Sequence, residues 1–280
     1  MTLAALLALA AVGFAVGFVA GLVGIGGGVL IVPFLYFFYG HSPWSGMVLD
    51  PSLHGVVASA TSLFIIIPTA AAGMATYARA GLVAWRPVLP IGVPAAAAAM
   101  LSALIAARIP APLLKIFFGC FLLFTAAQLV GRSDVSLPGR PERHNLVLSA
   151  LTGFAVGSFS ALLGVGGGLV AIPLLMYVIR LDVARLAATS LAIVMFAATA
   201  GTVTYMVIGH GVPLLPRGYV GYVHIAAALP MIPGAMLAAR WGAQVNQQMD
   251  ATHLRWLFAA LFLLMGLRII FTNVMPLLAP

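Results

Sequence analysis

The sequence predicts an all-α, polytopic membrane protein made of two homologous halves, and three observations lead there. Of 280 residues, 63% are hydrophobic and only 6% are charged, whereas a soluble domain carries roughly a quarter of its residues charged. Runs such as Val88–Ala107 and Leu254–Ile270 are almost wholly apolar, interrupted by Ser102 in the first and by Arg255 and Arg268 near the ends of the second. That suits helices of about 20 residues crossing a bilayer and not the ten-residue alternation of a spanning β-barrel. Finally, the second half of the chain repeats the first.

The repeat defines the elements. Gly13-Phe14-Ala15-Val16-Gly17 recurs as Gly153-Phe154-Ala155-Val156-Gly157, and Gly24-Ile25-Gly26-Gly27-Gly28 as Gly164-Val165-Gly166-Gly167-Gly168, with Pro33 answered by Pro173, all at an offset of 140. Ala60-Thr61-Ser62-Leu63 recurs as Ala188-Thr189-Ser190-Leu191, and Gly73, Thr76 and Tyr77 as Gly201, Thr204 and Tyr205, at an offset of 128. Leu114, Lys115, Phe118 and Leu123 are answered by Leu254, Arg255, Phe258 and Leu263 at 140 again. Internal periodicity of this kind marks one structural unit used twice. The copies occupy 1–131 and 146–280, joined by a polar linker, 132–145.

Each copy opens with a helix (3–23; 146–163), which runs into a Gly-rich break. A helix of about eleven residues follows (29–39; 169–179), then three spans: 55–78, 86–107 and 112–131, and in the second copy 184–208, 219–239 and 254–273. The short helix cannot cross ~30 Å of hydrocarbon at 1.5 Å per residue, so the broken region either crosses as a whole or turns back. Turning back inverts one half relative to the other. It also places Arg79, Arg86, Arg132, Arg140, Arg143, Arg180, Arg185, Arg240 and Arg255 on one side, nine cations against four; crossing divides them almost evenly. Cytoplasmic loops carry the Lys/Arg excess, which favours inverted repeats, a cytoplasmic linker and both termini outside.

Several function classes drop out. The net charge of +8 comes from basic residues placed singly at the ends of apolar runs, where they anchor and orient spans, so no nucleic-acid surface is implied. Cys120 is the one cysteine and cannot form an intrachain disulfide or a Cys-ligated metal site. The N-terminus lacks a basic region ahead of its apolar run and reads as a first membrane helix rather than a cleaved signal. Asp50, Asp134, Glu142, Asp182 and Asp250 all fall in loops or at span ends, leaving no carboxylate within a span to carry cations or relay protons. No catalytic cluster, cofactor motif or metal-ligand set appears; the chain is not expected to be an enzyme.

The breaks carry the chemistry. Glycine in a helix interior costs about 1 kcal/mol relative to Ala, so Gly26, Gly27 and Gly28, and again Gly166, Gly167 and Gly168, should unwind the chain. Unwound backbone at membrane depth needs burial in protein or a wet cavity, and the helix that follows points unpaired N–H groups and a positive dipole end at it. Such paired broken helices form substrate sites in secondary transporters. Gly13, Gly17, Gly21, Gly153 and Gly157, spaced by four, are read instead as smooth packing faces. Thr61, Ser62, Thr189 and Ser190 lie inside spans, where hydroxyls can donate to an anion or bond back to a carbonyl one turn earlier. Tyr77 and Tyr205 read as interfacial belt residues. His54 and His224 read as polar helix starts, with His54 the better candidate for coupling because it can titrate near Thr61.

These motifs together resemble the sulfite exporter TauE/SafE family, similar over nearly the whole chain. The resemblance rests on Gly21-Leu22-Val23-Gly24-Ile25-Gly26-Gly27-Gly28 with Pro33, on Leu163-Gly164-Val165-Gly166-Gly167-Gly168 with Pro173, on the two Ala-Thr-Ser-Leu blocks, and on Gly81-Leu82-Val83-Ala84-Trp85. It implies a multi-pass protein of the cytoplasmic membrane that moves sulfur-containing anions such as sulfite, sulfoacetate or other organosulfonates. The expected function is therefore a secondary transporter in which Phe34 or Met195 packs any apolar substrate tail; an anion channel and a non-transporting assembly protein are the alternatives. The expected partners are a small anionic substrate and the lipid bilayer, with a homodimer compatible with this reading.

Overall fold

The computed structural model describes residues 3–40, 49–50, 53–106, 145–212 and 218–250, together with isolated positions at 120–130, 215 and 252–270. Most of the linker and of the expected span 112–131, and about half of the expected span 254–273, lies outside the described residues. What is described is helical: α1 (Leu3–Val23), α2 (Gly28–Gly40), α3 (His54–Arg79), α4 (Trp85–Ile105), α5 (Leu146–Leu163), α6 (Gly168–Leu174), α7 (Val183–Ile208) and α8 (Ile225–Gln247). Among the described residues, six helices are long and apolar enough to cross a membrane: α1, α3, α4, α5, α7 and α8. The Asn145 side chain accepts from the Val147 and Leu148 N–H groups to cap α5, satisfying two donors that have no intrahelical partner.

Two boundaries depart from the sequence expectation. The second short helix is α-helical only to Leu174 and then widens into a π-helical turn, Leu175–Ile179. The span expected at 219–239 is instead preceded by a two-stranded hairpin, β1 (Tyr219–Val220) with β2 (Val223–His224), and its helix runs from Ile225 to Gln247. Gly218 and Gly221 adopt positive φ around that hairpin, breaking the helix ahead of His224. Arg240 ends the apolar run but not the helix, because backbone bonding continues past the charge. Asn246 at the helix end is buried and donates from Nδ2 to the Leu22 carbonyl, 2.6 Å away.

The halves exchange packing partners. A Cβ on Gly13, Gly17 or Gly21 of α1 would strike the backbone of Met231, Ala235 or Ala239 in α8; on Gly153 or Gly157 of α5 it would strike Ile91 or Ala95 in α4. The rising register shows each pair running parallel in direct backbone contact, as small residues at four-residue spacing permit. In the centre, α3 and α7 run antiparallel: Leu63 packs on Gly201, and Gly73 on Leu191.

The path through the first break follows from what it touches along α3. The Tyr77 hydroxyl near the end of α3 donates to the Gly21 carbonyl at 2.8 Å, Gly26 sits against Ile66 in the middle, and the Tyr39 ring lies 6.1 Å from that of His54 at the start. From α1 into α2 the chain therefore doubles back along α3. The Tyr205 hydroxyl makes the equivalent bond to the Ala161 carbonyl, 2.9 Å. Both tyrosines are buried, so they fasten helices inside the protein rather than belonging to an interfacial belt.

Candidate functional site

At the break, Gly24, Gly26 and Gly27 have φ of +82°, +78° and +85°, and Gly164, Gly166 and Gly167 have +66°, +81° and +78°. That left-handed region costs an L-residue roughly 1–2 kcal/mol, which is why the position demands glycine. Each helix resumes in the same way: Leu30 and Ile31 donate to the Gly27 carbonyl, Val170 and Ala171 to that of Gly167. The N–H groups of Gly28 and Val29, and of Gly168 and Leu169, precede this ladder.

The two breaks lie against each other. A Cβ on Gly28 would fall 2.6 Å from both the Gly164 carbonyl oxygen and Val165 Cα, and one on Gly168 would fall 2.5 Å from Ile25 Cα. Gly26 and Gly166 both border Ile66 and Val194, which are repeat equivalents at the middle of α3 and α7. All six predicted glycines thus converge on one place, with backbone facing backbone.

The serines join them. Ser59 touches Gly164 and Ile66 touches Gly166; Ser62, three residues after one and four before the other, occupies the same helix face between them. Ala187 against Gly24 and Val194 against Gly26 bracket Ser190 in the same way on α7. Ser62 and Ser190 are fully buried, and neither hydroxyl has a hydrogen-bond partner. A buried polar group left so costs about 1–3 kcal/mol, and unpaired hydroxyls flanking a backbone break are the arrangement expected where a ligand supplies the missing acceptor. Sequence reasoning missed a third such hydroxyl: Ser160, also buried and unpartnered, lies against Gly167. Its position four residues before Gly164 was a signal, but Ala20 holds the equivalent place in the first copy, so the repeat did not flag it.

The threonines lie elsewhere. Thr61 Oγ1 accepts from the His224 N–H at 2.9 Å, and Thr189 Oγ1 accepts from the Ala84 N–H at 3.1 Å, each tying the start of the other half's helix. His54 is half-buried, with Nε2 3.1 Å from the Leu49 carbonyl. His224 is no exposed helix start: it is 1% exposed, stacked on Tyr219 with ring centres 4.2 Å apart, and its Nδ1 lies 3.3 Å from the Tyr39 hydroxyl. It sits just ahead of the spanning helix, where burial pushes its pKa down to about 4, so the imidazole is neutral near pH 7. Phe34 and Met195 are partly buried against the core.

Six helices of spanning length among the described residues, with two facing glycine breaks between them, define a class: an integral membrane protein of the kind that carries solutes. The chain belongs to the sulfite exporter TauE/SafE family, whose pattern matches residues 9–269. It is 28% identical over 261 residues to a probable membrane transporter protein of Methanocaldococcus jannaschii, covering 91% of this chain and 92% of that one. A probable membrane transporter protein of Bacillus subtilis is 24% identical, covering 95% and 97%, and one of Haemophilus influenzae 25%, covering 90% and 93%. No solved structure matches the chain. The protein is a multi-pass membrane transporter and not an enzyme.

Proposed function

We propose that the protein is a secondary transporter that carries sulfur-containing anions, such as sulfite, sulfoacetate and other organosulfonates, across the cytoplasmic membrane by rocking two inverted halves about the facing breaks. The observation that carries this reading is the pair of buried, unpartnered hydroxyls, Ser62 and Ser190, set on either side of two adjoining helix starts. N–H groups there hold a negative headgroup without a fixed countercharge, and hydrogen bonds from uncharged donors to a charged group contribute about 1.5–3 kcal/mol each. The absence of acids from span centres removes the local repulsion that an anion would meet. Sulfur in the headgroup is supported by the family description alone. Thr61 and Thr189 act by positioning the neighbouring helix starts.

Inversion is supported by the antiparallel run of α3 and α7, repeat equivalents that both have spanning length, by the doubling back of α2 along α3, and by the nine-to-four division of cations. The glycines themselves are poor probes of binding. A Cβ on Gly27 would sit 2.6 Å from Val16 Cγ1, so a larger residue there disturbs folding as well as any site. The serines are clean. Thermal stability of the purified protein should rise with sulfite or sulfoacetate, since a ligand that binds only the folded state stabilises it by mass action. The shift should vanish in Ser62→Ala/Ser190→Ala, whose anion-free melting temperature should stand at or above the wild-type value, because two unpaired buried hydroxyls are removed. An undiminished shift in the double variant refutes the site.

A further inference from the structure

The repeat makes the position of His224 unusual. Its equivalent is Ala84, and both backbone N–H groups make the same bond to a threonine of the other half, Thr61 and Thr189 respectively. The methyl of Ala84 shows that this helix start needs no imidazole. Tyr39 and His54 have no aromatic counterparts either: Ile179 and Asp182 stand in their equivalent places. At these positions one end of an otherwise duplicated core carries the polar aromatic side chains Tyr39, His54 and His224 where the other carries Ile179, Asp182 and Ala84.

Every polar contact of His224 is accounted for except one. Its backbone N–H goes to Thr61, and its Nδ1 meets the Tyr39 hydroxyl. The far nitrogen, Nε2, is buried without a partner. We propose that His224 Nε2 is a second anion contact, on one side of the central site only, donating its proton to an oxygen of a sulfite-like or sulfonate headgroup as the anion enters or leaves the paired break. In this contact the Tyr39 hydroxyl donates to Nδ1, which leaves the ring proton on Nε2. Tyr219 holds the plane of the ring by stacking, and Thr61 sets the contact next to Ser62 in the chain. This inference rests on the anion-transport reading and adds the feature that distinguishes the two ends of the path. On the inverted arrangement, the contact lies on the side away from the nine cations, the outer side.

The test uses the full-length protein in nanodiscs, with sulfite and sulfoacetate as probes. His224→Asn keeps an amide near the Nδ1 position but removes the Nε2 donor, whereas His224→Gln restores a donor near Nε2. Loss of one hydrogen bond to a charged group should weaken binding about tenfold or more in His224→Asn, and His224→Gln should recover most of it. Wild-type affinity in His224→Asn overturns the proposal. Ser62→Ala/Ser190→Ala measured alongside separates the two readings: binding lost there but kept in His224→Asn leaves the central site standing and removes this one. The reverse pattern removes the central site alone. A wild-type protein that binds neither anion removes both. Should His224→Asn fail to fold, the imidazole Nε2 resonance of wild-type protein labelled with 15N-histidine, assigned by its loss in His224→Gln, gives the answer. Movement on adding sulfite supports the contact, and an unmoved resonance overturns it.

Discussion

The two halves share a backbone plan but not a set of side chains, and the differences sit where the chemistry does. Tyr77 and Tyr205, Gly17 and Gly157, and Thr61 and Thr189 make matching contacts. Ser160 faces the second break where the first offers Ala20, and His224 lines one end where the other offers Ala84. The shared set fixes helix positions, because duplicated architecture needs duplicated close approaches. The unshared set is free of that demand, and it includes two buried polar groups, Ser160 and His224, with unsatisfied atoms. Symmetric pairs should therefore respond symmetrically to substitution, and the unmatched residues should not.

The largest effect expected is all-or-none. With Cys120 replaced by Ser, single cysteines at the exposed positions Gly81, Arg185 and His210 test the inversion with an impermeant thiol reagent. Gly81→Cys and Arg185→Cys should react only from the cytoplasmic side and His210→Cys only from outside; Gly81→Cys and Arg185→Cys reacting from opposite sides would mean parallel halves. Next come Gly27→Ala and Gly167→Ala. Each forces a side chain into the left-handed region and against Val16 or Val156, so each should lower unfolding free energy by about 2–4 kcal/mol. Denaturant titration in detergent should give similar losses for the two. Tyr77→Phe and Tyr205→Phe are smaller: each orphans one buried carbonyl, at about 1–2 kcal/mol. The same titration should show equal costs, and a marked inequality would show that the two bonds do not serve the same structural purpose.

Much of this was legible in the sequence. The glycines within 24–28 and 164–168 signalled the breaks because left-handed backbone at several neighbouring positions is costly for any other residue, and long apolar runs signalled the spans because a bilayer admits little else. Ser62 and Ser190 were visible as a repeated hydroxyl pair. What stayed hidden depends on tertiary contact. No property of Gly13 or Gly153 says that its partner helix lies in the other half, since both copies offer the same small faces. The hairpin at 219–224 interrupts a run whose composition suits a span. His224 looked like a helix start, which by position it is; its burial comes from Tyr39 and Tyr219, far from it or unremarkable in sequence.

On the proposed function, the facing breaks with Ser62 and Ser190 form a saturable anion site. It is tested most directly by sulfite flux into proteoliposomes, measured against concentration for wild type and Ser62→Ala/Ser190→Ala. Flux should saturate in wild type and fall at least tenfold in the double variant at sub-saturating sulfite, the loss of two hydrogen bonds to a charged ligand. Flux that rises linearly without saturating, or that the double variant leaves unchanged, would contradict it.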